Sequence, residues 1–357
     1  MRIVAHNGAR IYGGAERATV KLLRALSDRG HDVTLLCNDA LVASEAESRG
    51  LQAMLSPIGG DVAIPHAVRL ATHLRRLDAD AFIIGTFKKL FLASLGAQLA
   101  RVPRVVARVG LESDTPRSAK YRVALRRWVD GVAVNAERMI EPFARLEGFG
   151  AHKVKLIHNG VRAPMPSGEK GILRKQLGIA PDAFVVGTVC RLVSQKRIDR
   201  LVEAMALVSD SIHCIIAGEG NQQEAIASRI STLGLARRIH LLGHRDDVGN
   251  VLRALNVYVV SSDREGLSNS MLEAMAAGLP LISTPVSGSS DALDGAHPAG
   301  IITGFDEQSI ARAIEHLNIN RSRLKEMAQA AQHRAETRFS MDRMVDEWEA
   351  FLSGTSA

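Results

Sequence analysis

Residues 257–283 read VYVVSSDREGLSNSMLEAMAAGLPLIS and contain one complete folding unit. Val257 to Ser261 is a short apolar run of strand length. A polar loop carrying Gly266 follows, and a helix begins at Ser268 or Asn269, both of which make good N-caps. Gly278 ends that helix, because glycine takes the left-handed conformation that a helix C-terminus favours. Leu279 to Ser283 is a second apolar run. Strand, helix and strand in this order make a crossover, which joins parallel strands and lays a helix on the sheet.

The same alternation extends in both directions. Ala183 to Cys190, Ile212 to Ala217 and Ile239 to Leu242 read as strands upstream, and Gly300 to Thr303 follows downstream. A separate series occupies the N-terminal half: Arg2 to His6, Val33 to Cys37, Ala81 to Gly85, Val105 to Val109, Gly131 to Val134 and Val154 to His158. Between these runs lie amphipathic segments such as Ala15 to Leu26, with apolar residues at three- and four-residue steps. The two series are parted by Ala163-Pro164-Met165-Pro166-Ser167-Gly168-Glu169-Lys170-Gly171, whose mix of proline, glycine, serine and charge marks a linker. The expected fold is α/β, with two Rossmann-like, doubly wound domains, 1–163 and 172–338, facing each other across a cleft. Residues 339–357 supply a C-terminal helix whose stripe of Met341, Met344, Val345, Trp348, Phe351 and Leu352 must pack on something, with the N-terminal domain as a candidate. Ligands of such sheets sit beyond the C-terminal ends of the strands.

Composition narrows the function classes. Only 4% of the residues are aromatic, which argues against stacked carbohydrate-binding and single-strand nucleic-acid platforms, so nucleic acid is not an expected partner. Cys37, Cys190 and Cys214 are odd in number and lack metal-ligand spacing; buried thiols in a reducing cytosol are expected, and no metal site. Met1 to His6 reads as a strand rather than a charged segment with a long apolar core, so the expectation is a cytoplasmic protein without a signal peptide. No stretch approaches the roughly 20 apolar residues that span a bilayer. Charge is uneven. Up to Arg162 there are 25 Lys and Arg against 15 Asp and Glu, and beyond it 20 against 23. A basic first half fits an anionic partner such as a phospholipid surface or a lipid-linked phosphate.

The loop and helix of the opening stretch carry the densest set of functional side chains. Gly266, Leu267 and the helix start at Ser268 offer backbone N–H groups and the positive end of a helix dipole, an anion site suited to a diphosphate. Glu265 precedes it in the loop. Glu273 lies about one turn into the helix, where a carboxylate can accept both hydrogen bonds of a ribose diol. In an arbitrary loop and helix, both glutamates would be solvated charges. Within Val186 to Arg197, a strand delivers Arg191 at its end and Lys196 follows in the next loop. Two cations converging there suit a diphosphate leaving group, arginine as a fork and lysine as a point charge.

Glu265 and Glu273, with seven residues between them and Ala274-Met275-Ala276-Ala277-Gly278-Leu279-Pro280 behind, resemble the paired-glutamate segment of retaining glycosyltransferases of family GT4, which have the GT-B fold. The resemblance implies that Glu265 contacts the donor sugar, that Glu273 holds the ribose, and that Gly266 and Leu267 ligate phosphate through their backbone. Arg191-Leu192 and Lys196 are similar to the family's Gly-Arg-Leu…Lys-Gly motif, which implies that Arg191 and Lys196 neutralise the leaving diphosphate. Arg197 stands where many relatives have glycine. Ala217-Gly218-Glu219-Gly220 resembles the turn beside the donor, and Leu241-Leu242-Gly243-His244 the strand end whose backbone reads the nucleobase. Gly13-Gly14-Ala15-Glu16 resembles the loop across from the donor phosphates, with Gly14 towards the donor and Gly13 and Glu16 towards the acceptor. Paired glycines let a backbone approach a ligand closely. One piece departs from the pattern. Many relatives carry a histidine after the fourth N-terminal strand, but here Val109 stands in Arg108-Val109-Gly110-Leu111-Glu112-Ser113-Asp114, leaving Arg108 or Asp114 as the acceptor-side polar group.

What the resemblance implies is transfer, with retention, from a nucleoside-diphosphate sugar such as a UDP-sugar to a hydroxyl of a glycan or lipid-linked acceptor. The acceptor class is cell-envelope polysaccharide or lipopolysaccharide, and no cofactor is implied beyond the co-substrate. Phe87 to Leu92 and Arg117 to Trp128 are basic segments with an apolar side; they suit either the inner face of the cytoplasmic membrane or a core-packed helix with solvated arginines. The alternatives are a non-catalytic nucleotide-sugar-binding subunit, and a sugar-nucleotide epimerase or a phosphorylase on the same architecture. His6, His158 and Asn135, near strand ends, are structural candidates first.

Overall fold

The computed structural model describes residues 1–60, 63–111, 113–167, 169 and 171–354; Glu112 and the linker residues Gly168 and Lys170 lie outside them. Seven strands form the first sheet: β1 (Arg2–Asn7), β2 (Asp32–Cys37), β3 (Gln52–Leu55), β4 (Ala81–Ile84), β5 (Arg104–Val109), β6 (Gly131–Val134) and β7 (Val154–Leu156). Their order is β3-β2-β1-β4-β5-β6-β7, and every pair is parallel. The second sheet has β8 (Phe184–Val189), β9 (Ile212–Ala217), β10 (Ile239–Leu241), β11 (Val257–Val260), β12 (Leu281–Ser283) and β13 (Gly300–Ile302). It runs β10-β9-β8-β11-β12-β13, again parallel throughout. Both sheets are doubly wound, as the alternation of strand and helix predicts.

Alternation along each strand divides the core into two layers. In the first sheet Val4, Leu36 and Phe82 face one helical layer, while Ile3, Leu35 and Ile83 face the other. In the second, Val185, Ile215 and Tyr258 lie in one layer, and Val186, Ile216 and Val257 in the other. Each large apolar side chain buried this way contributes roughly 1.5–3 kcal/mol.

Strand β3 has no counterpart among the expected strands. It is an edge strand, with Gln52, Met54 and Leu55 exposed, so no buried stripe marks it in the sequence.

The chain divides into two compact units, Met1–Gly160 with Met341–Ala357, and Val161–Ser340. The helix Met341–Ser353 is thus part of the first unit. Its Met344, Val345, Trp348 and Leu352 join the core layer formed by Leu22, Leu26 and Leu35. Polar contacts fix the same helix: Arg29 pairs with Asp346, His31 with Glu349, and Arg104 donates to the Phe351 carbonyl at 2.8 Å. Among the described residues, no helix is long and apolar enough to cross a membrane.

Candidate functional site

In the second unit β8 pairs with β9 over six positions but with β11 over only two, Val186 with Val257 and Gly187 with Tyr258. Strand order reverses between β8 and β11, and there the C-terminal ends part, as at a topological switch point. Fully buried Tyr258 spans the gap. Its hydroxyl donates to the Val189 carbonyl at 3.0 Å and accepts from the Val189 N–H at 3.2 Å. Burial raises the Tyr258 pKa above its ordinary value, so the hydroxyl stays protonated. A small pocket opens beside it, lined by Thr188, Cys190, Lys196, Tyr258, Ser262 and Ser268.

Two loops converge on this pocket. After β8, a single turn of 3-10 helix, Ser194–Lys196, carries Lys196; after β11, the loop 261–268 carries Glu265. The Lys196 ammonium forms an ion pair with Glu265 Oε1, and Ser262 Oγ donates to the same oxygen at 3.1 Å. Both side chains are mostly buried, 17% and 10% exposed, so water screens the pair weakly and each charge depends on the other. Backbone and amide bonds join the two loops. The Asp263 N–H donates to the Gln195 carbonyl at 3.0 Å, Gln195 Nε2 to the Arg264 carbonyl at 2.7 Å, and Ser261 Oγ to the Lys196 carbonyl at 2.9 Å.

Arg197 has φ +48° and ψ +47°. A side chain in this left-handed region costs roughly 1–2 kcal/mol, a cost glycine would avoid. Arg197 is held by Asp199 and Asp263 instead.

Arg191 lies two residues beyond β8, with an exposed side chain that makes no ion pair among the described residues. Its neighbours are fixed by the turn after β9. The Cys190 N–H donates to the Ala217 carbonyl, and the Leu192 N–H to the Glu219 carbonyl. Gly218 is required at that crossing. Its φ is +137°, and a Cβ would sit 1.8 Å from the Cys190 carbonyl oxygen. Its N–H donates to the Gly243 carbonyl at 2.7 Å, while Glu219 Oε1 accepts from the His244 N–H at 3.2 Å. Gly218, Gly243 and His244 therefore meet at one rim. The His244 ring itself is half exposed and faces Asp246 at 3.2 Å.

The helix Asn269–Ala276 starts at Ser268, and the first intrahelical bond is donated by Leu272 to the Ser268 carbonyl. Its first turn thus presents amide groups and the positive dipole end at Ser268. Ser268 is the N-cap residue, but its hydroxyl lies 3.1 Å from that of Ser270 instead of capping an amide. Glu273 lies one turn further along, on the face shared with Asn269 and Ser270. Gly266 and Leu267 are buried because the helix Ser287–Leu293 presses on them. A Cβ on Gly288 would fall 2.6 Å from the Gly266 carbonyl oxygen and from the Leu267 Cα. Gly288, Tyr258 and Asp263 shape this candidate site, and the motifs do not single them out. A glycine one residue into a helix start was the one available signal.

The first unit treats its polar residues differently. Gly13 caps the helix Gly14–Asp28, and its N–H donates to Glu16 Oε2 at 3.0 Å, so the glycine loop and Glu16 form one capping element. Arg108 is buried in β5, where Nη1 donates to Thr19 Oγ1 at 3.2 Å and Nη2 to Asn159 Oδ1 at 3.1 Å. Burial lowers its pKa to about 10, partly offset by Glu16, so it remains charged at neutral pH. Val109 belongs to the core. Asp114 is partly buried, and burial raises its carboxyl pKa against the opposing pull of Lys88. The apolar sides of Phe87 to Leu92 and Arg117 to Trp128 meet each other: Phe87 packs on Tyr121 and Phe91 on Trp128. Asp78 and Asp80, an Asp-x-Asp pair, are both engaged by Arg2. No group of three or more metal-binding side chains occurs among the described residues.

Residues 169–334 match the family model for glycosyl transferases group 1, and residues 12–163 match that for glycosyltransferase family 4. The chain belongs to glycosyltransferase family 4. The lipopolysaccharide core biosynthesis glycosyltransferase LpsE of Rhizobium meliloti is 28% identical over 180 residues, 50% of this chain and 53% of that protein, so the match spans only about half its length. The UDP-Gal:alpha-D-GlcNAc-diphosphoundecaprenol alpha-1,3-galactosyltransferase of Escherichia coli is 26% identical over 78% of each chain. Among solved structures, HepE of Anabaena in complex with UDP superposes with a TM-score of 0.87 at 21% identity, over 99% of this chain and 100% of that one. Sucrose-phosphate synthase of Thermosynechococcus elongatus superposes with a TM-score of 0.76 at 17% identity, over 99% and 98%. The fold is GT-B.

Proposed function

We propose that this family 4 chain is a retaining glycosyltransferase that moves a hexose or related sugar from a UDP-sugar to a hydroxyl of a glycan or lipid-linked acceptor in envelope polysaccharide or lipopolysaccharide assembly. The observation that carries this reading is the convergence of Lys196, which is paired with Glu265, and the helix start at Ser268 on one pocket where β8 and β11 part, with exposed Arg191 just beyond β8.

In this reading Arg191, Lys196 and the Ser268 dipole take up the charge that grows on the departing diphosphate. One such positioned donor is worth roughly 100- to 1,000-fold in rate. Gly266 and Leu267 hold phosphate through their backbone, Glu265 orients the sugar, Glu273 holds the ribose, and the Gly218, Gly243 and His244 rim receives the base. These groups take the part a divalent cation would play, so transfer proceeds in chelator. Residues 172–338 form the donor half, and 1–163 the acceptor half, with Gly14 towards the donor and Gly13, Glu16 and Asp114 towards the acceptor; Arg108, bonded to Thr19 and Asn159, supports that edge from within. The names of the relatives, one acting on UDP-Gal and a diphosphoundecaprenol-linked sugar, support UDP and a lipid-linked acceptor. The basic first half supports an acceptor presented at an anionic surface.

Thermal stabilisation by UDP-, GDP- and ADP-sugars, followed by a transfer assay in EDTA, tests the proposal. A UDP-sugar should stabilise most, and UDP should appear one for one with glycosylated acceptor. An altered donor sugar without released UDP would instead indicate an epimerase, and donor binding without turnover on any acceptor a binding subunit.

A further inference from the structure

We propose that Asp263 is a positioning residue that holds the turn carrying Lys196 in its left-handed form against the Glu265 loop. The inference rests on the reading of Lys196 as the cation facing the diphosphate.

Asp263 lies two residues before Glu265, and its carboxylate receives two arginines from the other loop and helix. Arg200 Nη2 donates to Oδ1 at 2.8 Å, and Arg197 Nη1 to the same oxygen at 3.3 Å. Arg200 is buried, 6% exposed, and its Nη1 also donates to the Ser261 carbonyl at 2.6 Å. One guanidinium therefore grips both ends of the segment 261–263. Burial raises the Asp263 pKa, but Arg200 and Arg197 outweigh it and hold the carboxylate below its ordinary range, so it is charged at neutral pH.

Arg197 follows Lys196 directly and sits at φ +48°. Right-handed geometry is the default for a residue with a side chain, so something must hold this one. Asp199, on the exposed start of the next helix, and Asp263 are the two partners that do so. Asp199 moves with the helix that Arg197 introduces. Of these two carboxylates, Asp263 is the one that belongs to the opposite loop. Glycine would reach the same turn without a partner; this chain reaches it through an arginine and an aspartate acting together. Losing Asp263 should let Arg197 relax and displace Lys196 from Glu265, and a shift of this kind near reacting groups costs rate out of proportion to its size.

The test measures kcat and donor KM for Asp263→Asn, Arg197→Ala, Arg197→Gly, Asp263→Asn/Arg197→Gly and Lys196→Ala, with melting temperatures for each. Asp263→Asn should lower kcat about tenfold, with donor KM changed less than about threefold. Adding Arg197→Gly should restore at least a third of the lost rate, because glycine needs no partner to stay left-handed. Arg197→Ala should be slower than Arg197→Gly, which keeps the inference testable if Asp263→Asn does not fold. Wild-type kcat in Asp263→Asn, no rescue by glycine, or equal rates for the two Arg197 variants would each overturn it. Lys196→Ala separates the two levels. If it turns over normally, the reading of Lys196 fails and this inference with it; if it is slow while Asp263→Asn is normal, this inference alone fails.

Discussion

Both sheets reverse strand order beside their first strand, β1 against β4 and β8 against β11, yet their C-terminal edges spend polar side chains in opposite ways. On the second edge Lys196, paired with Glu265, lines a pocket, and Arg191 is exposed. On the first edge Arg108 is buried against Thr19 and Asn159, and Glu16 is turned onto its own helix start. The difference teaches that shared topology sets where a site can form, while the loops decide whether charge is offered to a ligand or used to hold the fold. It also explains why the motifs mark the second edge more clearly than the first.

Glycine substitutions should break the comparison most sharply. Gly218→Ala forces a Cβ onto the Cys190 carbonyl at a left-handed position, and we expect a loss of about 3 kcal/mol in stability together with nucleotide binding. Gly14→Ala on the first edge meets nothing within 4 Å and should melt as wild type. Equal effects of the two, by thermal denaturation, would remove the contrast.

Acid should act on the first unit. His6 is fully buried, and burial lowers its pKa to about 4. The folded state keeps it neutral while the unfolded chain takes up a proton near pH 6.5, so its contribution is intact above about pH 6.5 and is lost progressively as pH falls towards 4. The full effect is on the order of 3 kcal/mol. Urea unfolding at pH 7.5 and 4.5 should show a smaller pH dependence in His6→Asn than in wild type. His213 and His240 in the second unit are lowered by burial too, but they are only partly buried, so replacing them should flatten the profile less.

A subtler probe is Gly288→Ala, which pushes on Gly266 and Leu267 from below. Donor affinity should fall by about 1–2 kcal/mol with the fold retained. The smallest effect is expected for Arg108→Met. It removes a buried cation that has no carboxylate partner among the described residues, so donor affinity in calorimetry should stay within twofold and stability should change by less than about 1 kcal/mol.

Much of this was legible in the sequence where burial was complete. Gly131–Val134 and Ile212–Ala217 form strands over the residues their apolar runs predict. Strand β3 was not legible, because an exposed edge strand leaves no apolar pattern. Lys196 and Glu265 could be read as members of two motifs, but their pairing depends on how two loops 69 residues apart meet. Nothing in the sequence marks Arg197 as left-handed; its backbone at φ +48° does. Arg108 could be placed at a strand end, but the sequence carries no sign that Thr19 and Asn159 would take its donors.

The most direct test of the account is calorimetric titration of UDP, in chelator, into the wild-type chain and Lys196→Ala. We predict binding to the wild type without a divalent metal and at least about tenfold weaker binding to the variant, since one charge-assisted contact is worth roughly 1.5–3 kcal/mol. Equal affinity in the two proteins, with both folded, would contradict the assignment of the β8–β11 edge as the donor site.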